Sequence, residues 1–129
     1  MLKDLTIFQL AGNAATHAGR RQALLTQNVA NADTPGYRAL DLPDFAEAVS
    51  LETRGAAMQA TRPTHLQGTS SQINRIEPFE RPGEADPNGN TVALDRELMF
   101  AVDAKRTHDR SLAVYRSALD ILRTAIRVR

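Results

Sequence analysis

The C-terminal part of the chain carries apolar residues at alternating steps of four and three. This spacing holds over ten positions from residue 94 to residue 126, and only Lys105 and His108 interrupt it. Such spacing is typical of a helix that packs along a coiled-coil seam. The pattern therefore predicts a long helix over residues 94–129, with Asp95 as its N-cap.

The N-terminal segment repeats this spacing with smaller side chains. Seven of eight positions between residues 8 and 32 are apolar, and most of them are alanine. The pattern predicts a second long helix over residues 1–32. Gly12 and Gly19 lie one heptad apart in it, and each costs about 1 kcal/mol in a helix. Either another backbone approaches closely there and offsets this cost, or the two glycines simply weaken the helix.

The segment between the two helices, residues 33–93, is rich in turn-forming residues. Its larger part, residues 52–93, holds four of the six prolines and four of the seven glycines. Such a composition predicts an irregular, loop-rich arm with at most a short β-hairpin. A short helix is expected before it, with Pro43 in its first turn. The residues expected on one face of that helix are Phe45, Ala48 and Val49.

These elements together predict a mainly α fold, in which two long terminal helices form a coiled-coil layer. Residues 1–129 are expected to form a single domain. Because the two seams are long and alanine-rich, they are expected to pack against helices of other chains rather than against each other. The residues predicted to line this inter-subunit seam are Phe8, Ala15, Leu25, Val29, Leu98, Leu112, Tyr115, Leu119, Leu122 and Ile126.

Composition and charge exclude several classes of function. The chain has no cysteine, and its three histidines share no metal-ligand spacing, so neither a metal nor another cofactor is predicted. No nucleophile motif, phosphate-binding loop or carboxylate pair stands out, so the chain is not expected to be an enzyme. The net charge of +1 gives no general attraction to nucleic acid, although the middle segment is acidic and both ends are basic. No stretch is apolar enough for membrane insertion, and no cleaved signal peptide is expected.

The first long helix ends in a stretch with specific turn chemistry. In the sequence Thr-Pro-Gly-Tyr at 34–37, proline presets the second position of a type II turn and glycine accepts the positive φ of the third. Asn28 and Asn31 lie one helical turn apart just before it. Their amides are expected to bond either the backbone of the turn or a neighbouring chain. On physical grounds alone, an ordinary helix end also explains this stretch.

The same stretch resembles the N-terminal signature of the bacterial flagellar axial family, which comprises rod, hook and hook-junction proteins. Within that family the chain length, "ATRPTHL" at 60–66 and "PNGNTVALDREL" at 87–98 are similar to one of the two short proximal-rod proteins. The last helix lacks the Glu-Met and Tyr-Glu-Ala-Asn pattern of the sibling short rod protein. The residues that match the family signature are Asn28, Ala30, Asn31, Thr34, Pro35, Gly36 and Tyr37.

The resemblance implies a structural subunit of the proximal rod, which self-assembles through its terminal helices into the axial drive shaft that transmits torque. It also implies export by the flagellar type III apparatus, without a cleaved signal peptide, to the periplasmic rod of the basal body. The implied partners are copies of the chain, neighbouring rod proteins, a basal-body adaptor, and export-gate and MS-ring components. Two alternatives stay open: the sibling short rod protein, and a helical adaptor or chaperone-like module that binds one partner through its termini.

Overall fold

The computed structural model describes residues 2–54 and 76–127, and side chains within residues 6–50 and 76–127. Helix α1 spans Leu2–Ala30, helix α2 spans Phe45–Arg54 and helix α3 spans Leu94–Arg127. The strands β1, Leu40–Asp41, and β2, Phe79–Glu80, pair in antiparallel orientation. The mainly α fold with a loop-rich middle and a small two-stranded sheet is confirmed. The quoted stretch at 60–66 lies outside the described residues.

Helices α1 and α3 form an antiparallel pair within the chain. Near the start of α1, the ring of Phe8 lies 5.3 Å from that of Tyr115, centroid to centroid. Near the end of α1, Asn28 donates a hydrogen bond of 2.9 Å to Glu97, close to the start of α3. The expectation that these helices would not pack against each other is therefore wrong.

The seam between the two helices is built mainly from small residues at heptad spacing. The buried positions at heptad spacing are Ala11, Ala18 and Leu25 on α1, and Glu97, Ala104 and Ser111 on α3. Small side chains allow the two backbones to approach closely, which explains how an alanine-rich helix forms an intramolecular seam. Leu25 is fully buried within the chain, so it belongs to this inner seam and not to a contact with another subunit.

The apolar stripe predicted on α3 lies beside the inner seam instead of within it. Leu98, Leu112, Leu119 and Ile126 belong to a line that runs one residue after the buried positions 97, 104 and 111. One residue corresponds to about 100° around a helix. Leu98 is consequently 52% exposed and Ile126 is also exposed, whereas Tyr115 lies on the side of α3 that packs against Phe8 of α1. Helix α3 therefore presents a second apolar stripe outside the helix pair.

The observed element ends differ from the predicted ends by a few residues. Helix α3 begins at Leu94, so Asp95 lies in its first turn, where a carboxylate favours the helix dipole, and is not the N-cap. Helix α2 begins at Phe45, and Pro43 therefore precedes the helix. The predicted inner face of α2 is confirmed, since Ala48 is buried and its neighbours Phe45 and Val49 are partly buried.

No helix in the described parts of the chain combines the length and the apolarity that crossing a membrane requires.

Candidate functional site

The turn after α1 has the geometry that its sequence predicts. The Tyr37 N–H donates to the Thr34 carbonyl at 3.3 Å, and Gly36 has a φ of +71°. Positive φ at the third position distinguishes a type II turn from a type I turn. Gly36 also donates its N–H to the Asn88 carbonyl at 3.0 Å. The turn is therefore held against a second loop, at residues 86–91.

Asn28 is the buried centre of this region. Its amide nitrogen donates to the Leu40 carbonyl at 2.8 Å and to Glu97 at 2.9 Å. Its amide oxygen accepts from the Leu40 N–H at 3.0 Å and from the Tyr37 hydroxyl at 3.2 Å. Burial raises the pKa of Tyr37, so its hydroxyl keeps the proton that it donates. One side chain thus joins α1, the turn, β1 and α3.

Asn31, the second signature amide, makes more local contacts. Its side-chain nitrogen donates to the Gln27 carbonyl at 2.8 Å, one turn back in the same helix. Its side-chain oxygen accepts from the Thr34 hydroxyl at 3.2 Å. The two asparagines were expected to bond the backbone of the turn or a neighbouring chain, and they instead accept bonds from the side-chain hydroxyls of two turn residues, Tyr37 and Thr34. Asn31 shapes the start of the turn, whereas Asn28 connects distant elements.

Asn90 completes the end of α1 from far along the chain, and sequence reasoning did not single it out. Its buried side chain donates to the carbonyls of Asn31, Ala32 and Thr34 at 2.9, 2.7 and 2.9 Å. Its side-chain oxygen accepts from the Val92 N–H at 2.7 Å. These three carbonyls follow Ala30, the last residue of α1, so an asparagine nearly sixty residues later holds the chain where it leaves the helix.

A buried charge cluster, consisting of Arg21, Asp41, Arg81 and Glu97, lies beside Asn28. Arg21 holds Asp41 through two hydrogen bonds of 2.8 and 3.0 Å, and this contact raises the pKa of Arg21. Arg81 donates to Asp41 at 3.1 Å and also to Glu97. The two carboxylate side chains are only 5% and 1% exposed. The side chains of Arg21 and Arg81 remain 21% and 19% exposed, so two partly buried cations neutralise two buried carboxylates.

The aromatic ring of Phe100 closes the charge cluster on the α3 side. The guanidinium carbon of Arg81 lies 4.5 Å from the centre of this ring, and that of Arg21 lies 5.8 Å away. These distances place both cations within range of a cation–π contact. The cluster and the ring together attach the small sheet to the helix pair.

The residues of the family signature and those predicted for the inter-subunit seam lie in different environments. Asn28 and Leu25 are buried inside the chain, whereas Ala30, Thr34, Pro35 and Gly36 of the signature are exposed. The seam residues that remain partly or largely accessible are Phe8, Ala15, Val29, Leu98, Leu112, Tyr115, Leu119, Leu122 and Ile126. The signature turn and the seam are thus distinct features. Hydrogen bonds within the chain hold the turn, whereas most of the predicted seam residues have accessible side chains.

A buried histidine lies between α1 and α2. His17 packs against Phe45 at 5.7 Å between ring centres, and its Nε2 has no hydrogen-bond partner among the described residues. Desolvation by burial lowers the pKa of His17, with smaller contributions in the same direction from Arg21 and Arg20, while a bond to the backbone of Pro43 opposes the shift. The neutral ring is therefore the form that this contact accommodates.

We expect acid to loosen the contact of α2 with α1 through His17. The unfolded chain binds the proton near pH 6.5, whereas the folded chain binds it at lower pH, so stability is fully present above about pH 6.5 and is lost as the pH falls through the lowered folded pKa. Denaturant unfolding between about pH 8 and pH 5 measures this slope. His17→Leu should flatten it and the matched variant His108→Leu should not. An unchanged slope in His17→Leu would show that other groups cause the loss.

The described residues offer no grouping of three or more histidine, aspartate or glutamate side chains that could hold a metal ion. The charge cluster is a set of paired ions that bonds elements of the chain to one another. The four charged groups bond one another within the chain, so the cluster stabilises the fold.

Comparison with known proteins agrees with this geometry. The family model described as flagella basal body rod protein matches residues 8–38, which cover most of α1 and the signature turn. The flagellar basal body rod protein FlgB of Salmonella typhimurium strain LT2 is 34% identical over 108 residues, which is 78% of each chain. The chain belongs to the FlgB family of flagellar basal body rod proteins.

Further members of the FlgB family match over similar or greater lengths. FlgB of Escherichia coli strain K12 is 34% identical over 103 residues, 73% of each chain. FlgB of Agrobacterium fabrum is 27% identical over 119 residues, which is 90% of this chain and 89% of that protein. The matches extend well beyond the signature turn, and the family resemblance predicted from the sequence is confirmed. The proteins in this family are structural rod proteins and not enzymes.

Proposed function

We propose that the chain is a structural subunit of the proximal rod of the flagellar basal body, and that it assembles with copies of itself and with other rod proteins through its helix pair. Membership of the FlgB family supports the rod assignment. In this role the subunit forms part of the axial drive shaft and transmits torque. Its work is mechanical, which suits a fold whose buried polar side chains bond one element of the chain to another.

The observation that carries this proposal is the second apolar stripe of α3. The inner seam already holds α1 and α3 together through residues 97, 104 and 111, yet Leu98 and Ile126 remain exposed on a line one residue further along the helix. An exposed apolar stripe at heptad spacing is a surface for another helix. A helix pair with one inner and one outer stripe is suited to a continuous layer of helices around an axis.

The finer parts of the proposal concern partners and location. We propose contacts with a basal-body adaptor and with components of the export gate and MS ring, and a final position in the periplasmic rod. We also propose export through the flagellar type III apparatus without a cleaved signal peptide. Family membership supports these parts.

Leu98→Asp tests the outer stripe without disturbing the inner seam. Because Leu98 is half exposed, its replacement should change the free energy of unfolding by less than about 1 kcal/mol. A charge in a packed helical interface should nevertheless abolish rod assembly. The measurement is the number of basal bodies with rods in cells that produce the variant, together with the amount of variant in each cell fraction.

Met99→Asp is the matched control for this experiment. Met99 is 69% exposed and lies about 100° further around α3 than Leu98, away from both stripes. It should therefore support normal rods. Normal rods with Leu98→Asp would contradict the proposed seam. A stable complex with one soluble partner, together with no assembly of the wild-type chain, would favour the adaptor alternative.

A further inference from the structure

The described part of the middle segment covers one side of the helix pair at one end. At that end, the charge cluster contacts Arg21 of α1 and Phe100 of α3. Ile7 lies two heptads before Arg21, and Val114 and Ile121 lie two and three heptads after Phe100. Positions a whole number of heptads apart stay on one side of a helix, with a drift of about 20° per heptad. These three residues therefore continue the covered side into a region that the sheet does not reach.

The other end of this side carries an apolar surface, the distal patch, made of Ile7, Leu10, Val114 and Ile121. Each of these side chains is at least 46% exposed. The ring contact between Phe8 and Tyr115 brings their preceding residues, Ile7 and Val114, to the same level of the helix pair. A contiguous group of exposed large aliphatic side chains marks a contact surface.

Charge distinguishes the two ends of the molecule. Residues 110–127 contain four arginines and one aspartate, a net charge of +3, whereas residues 77–86 contain four acids and one arginine, a net charge of −3. The bond from Arg81 to Glu97 holds this acidic loop at the opposite end from the distal patch. Arg116 lies 19 residues beyond Glu97, about 28 Å along the helix. That distance exceeds the Debye length of about 8 Å, so the two charged regions do not neutralise each other within one chain.

We infer that the distal patch and the arginines near it receive the acidic loop, residues 77–86, of a second copy of the chain. Phe79 at the start of β2 is 44% exposed and supplies an apolar side chain for the patch. The acids around it complement the basic end of the receiving copy. This inference rests on the proposed function and deepens it by naming one contact between subunits.

The contact has a consequence for the form of the assembly. It joins two different surfaces, one at each end of the molecule, and so it is heterologous. Heterologous contacts that do not close into a ring generate helical filaments. Head-to-tail docking thus adds an axial contact to the lateral contact expected from the outer stripe of α3.

Cysteine cross-linking tests the inferred contact directly, because the natural chain contains no cysteine. A Phe79→Cys variant is mixed with a size-tagged Ile121→Cys variant, and the mixture is oxidised mildly under assembly conditions. We expect a disulfide-linked heterodimer. The control pairs Phe79→Cys with tagged Met99→Cys, which is exposed but lies at the other end of α3, and should give about tenfold less product. Equal yields in the two mixtures would overturn the inference.

Charge exchange provides a second, independent measurement. Arg110→Glu with Arg116→Glu, introduced into the copy that carries Ile121→Cys, should lower the cross-link yield about tenfold at low salt, because attraction becomes repulsion. Glu80→Arg with Glu84→Arg in the copy that carries Phe79→Cys should restore it. Failure of this restoration would show that the two regions do not face each other.

The outcome separates this inference from the proposed function. Light scattering of the wild-type chain measures whether the chain assembles at all, regardless of which contact is used. Assembly without the specific cross-link would contradict the head-to-tail contact and leave the rod-subunit proposal intact. Absence of assembly at every concentration, together with a stable complex with one soluble partner, would count against both.

Discussion

Replacing Asn90 by aspartate is expected to destabilise the fold by about 3–5 kcal/mol, more than replacement by alanine. The two amide hydrogens of Asn90 are shared among three carbonyl groups just after α1, at 2.9, 2.7 and 2.9 Å from the amide nitrogen. Asn90→Asp keeps the size of the side chain but turns this donor into a charged acceptor. The side chain is almost completely buried, so water does not relieve the repulsion. Urea unfolding followed by circular dichroism measures the loss.

Asn88→Asp makes the same chemical change two residues away and serves as the control. The side-chain oxygen of Asn88 accepts the Asn90 N–H at 3.0 Å, and a carboxylate oxygen accepts such a bond equally well. Asn88 is exposed, so the added charge stays in water and the change should remain within about 0.5 kcal/mol. Similar losses in the two variants would show that the three carbonyl contacts do not support the end of α1.

Glu97→Ala is expected to cost about 3–5 kcal/mol of folding free energy. The change removes the partner of Arg81 and of the Asn28 amide, and it leaves two positive charges against one negative charge in a buried cluster. Glu97→Gln retains an acceptor for Asn28 and should fall between the wild type and Glu97→Ala. Thermal and denaturant unfolding of the three proteins measure this order.

Asp103→Ala is the control for the charge cluster. It removes another acid of α3, whose exposed carboxylate lies 3.8 Å from Arg106. Because exposed ion pairs contribute little, its free energy of unfolding should change by less than about 0.5 kcal/mol. If Glu97→Ala costs no more than Asp103→Ala, the cluster does not hold the sheet to the helix pair.

Local chemistry decided the features that sequence reasoning predicted well. Heptad spacing in residues 94–126 and the alanine-rich spacing before residue 32 depend only on neighbours along one helix, and both helices are present. Proline followed by glycine at 35 and 36 specifies its turn through backbone preferences of two residues. The same short stretch carries the family signature, so the family could also be inferred without any tertiary contact.

The contacts of Asn28 show what a local pattern leaves undecided. Its amide could bond its own chain or a neighbour, and only the fold brings Leu40 and Glu97 to it. The roles of Asn90 and Arg81 depend on loops that return to α1 and α3 after long excursions. No local sequence pattern marks either residue, because its hydrogen-bond partners are distant in sequence and are brought to it only by the fold.

The sequence by itself therefore determined that α1 and α3 are helices with apolar stripes, and that a type II turn follows α1. Only the tertiary structure decided that the two helices pair within one chain, and that Glu97, Ala104 and Ser111 face inwards while Leu98 and Ile126 face outwards. The physical reason is that periodicity specifies a stripe relative to its own helix and says nothing about its partner. Small residues along the inner seam let the backbones of α1 and α3 approach closely. The charge cluster pairs the opposite charges that lie next to this seam.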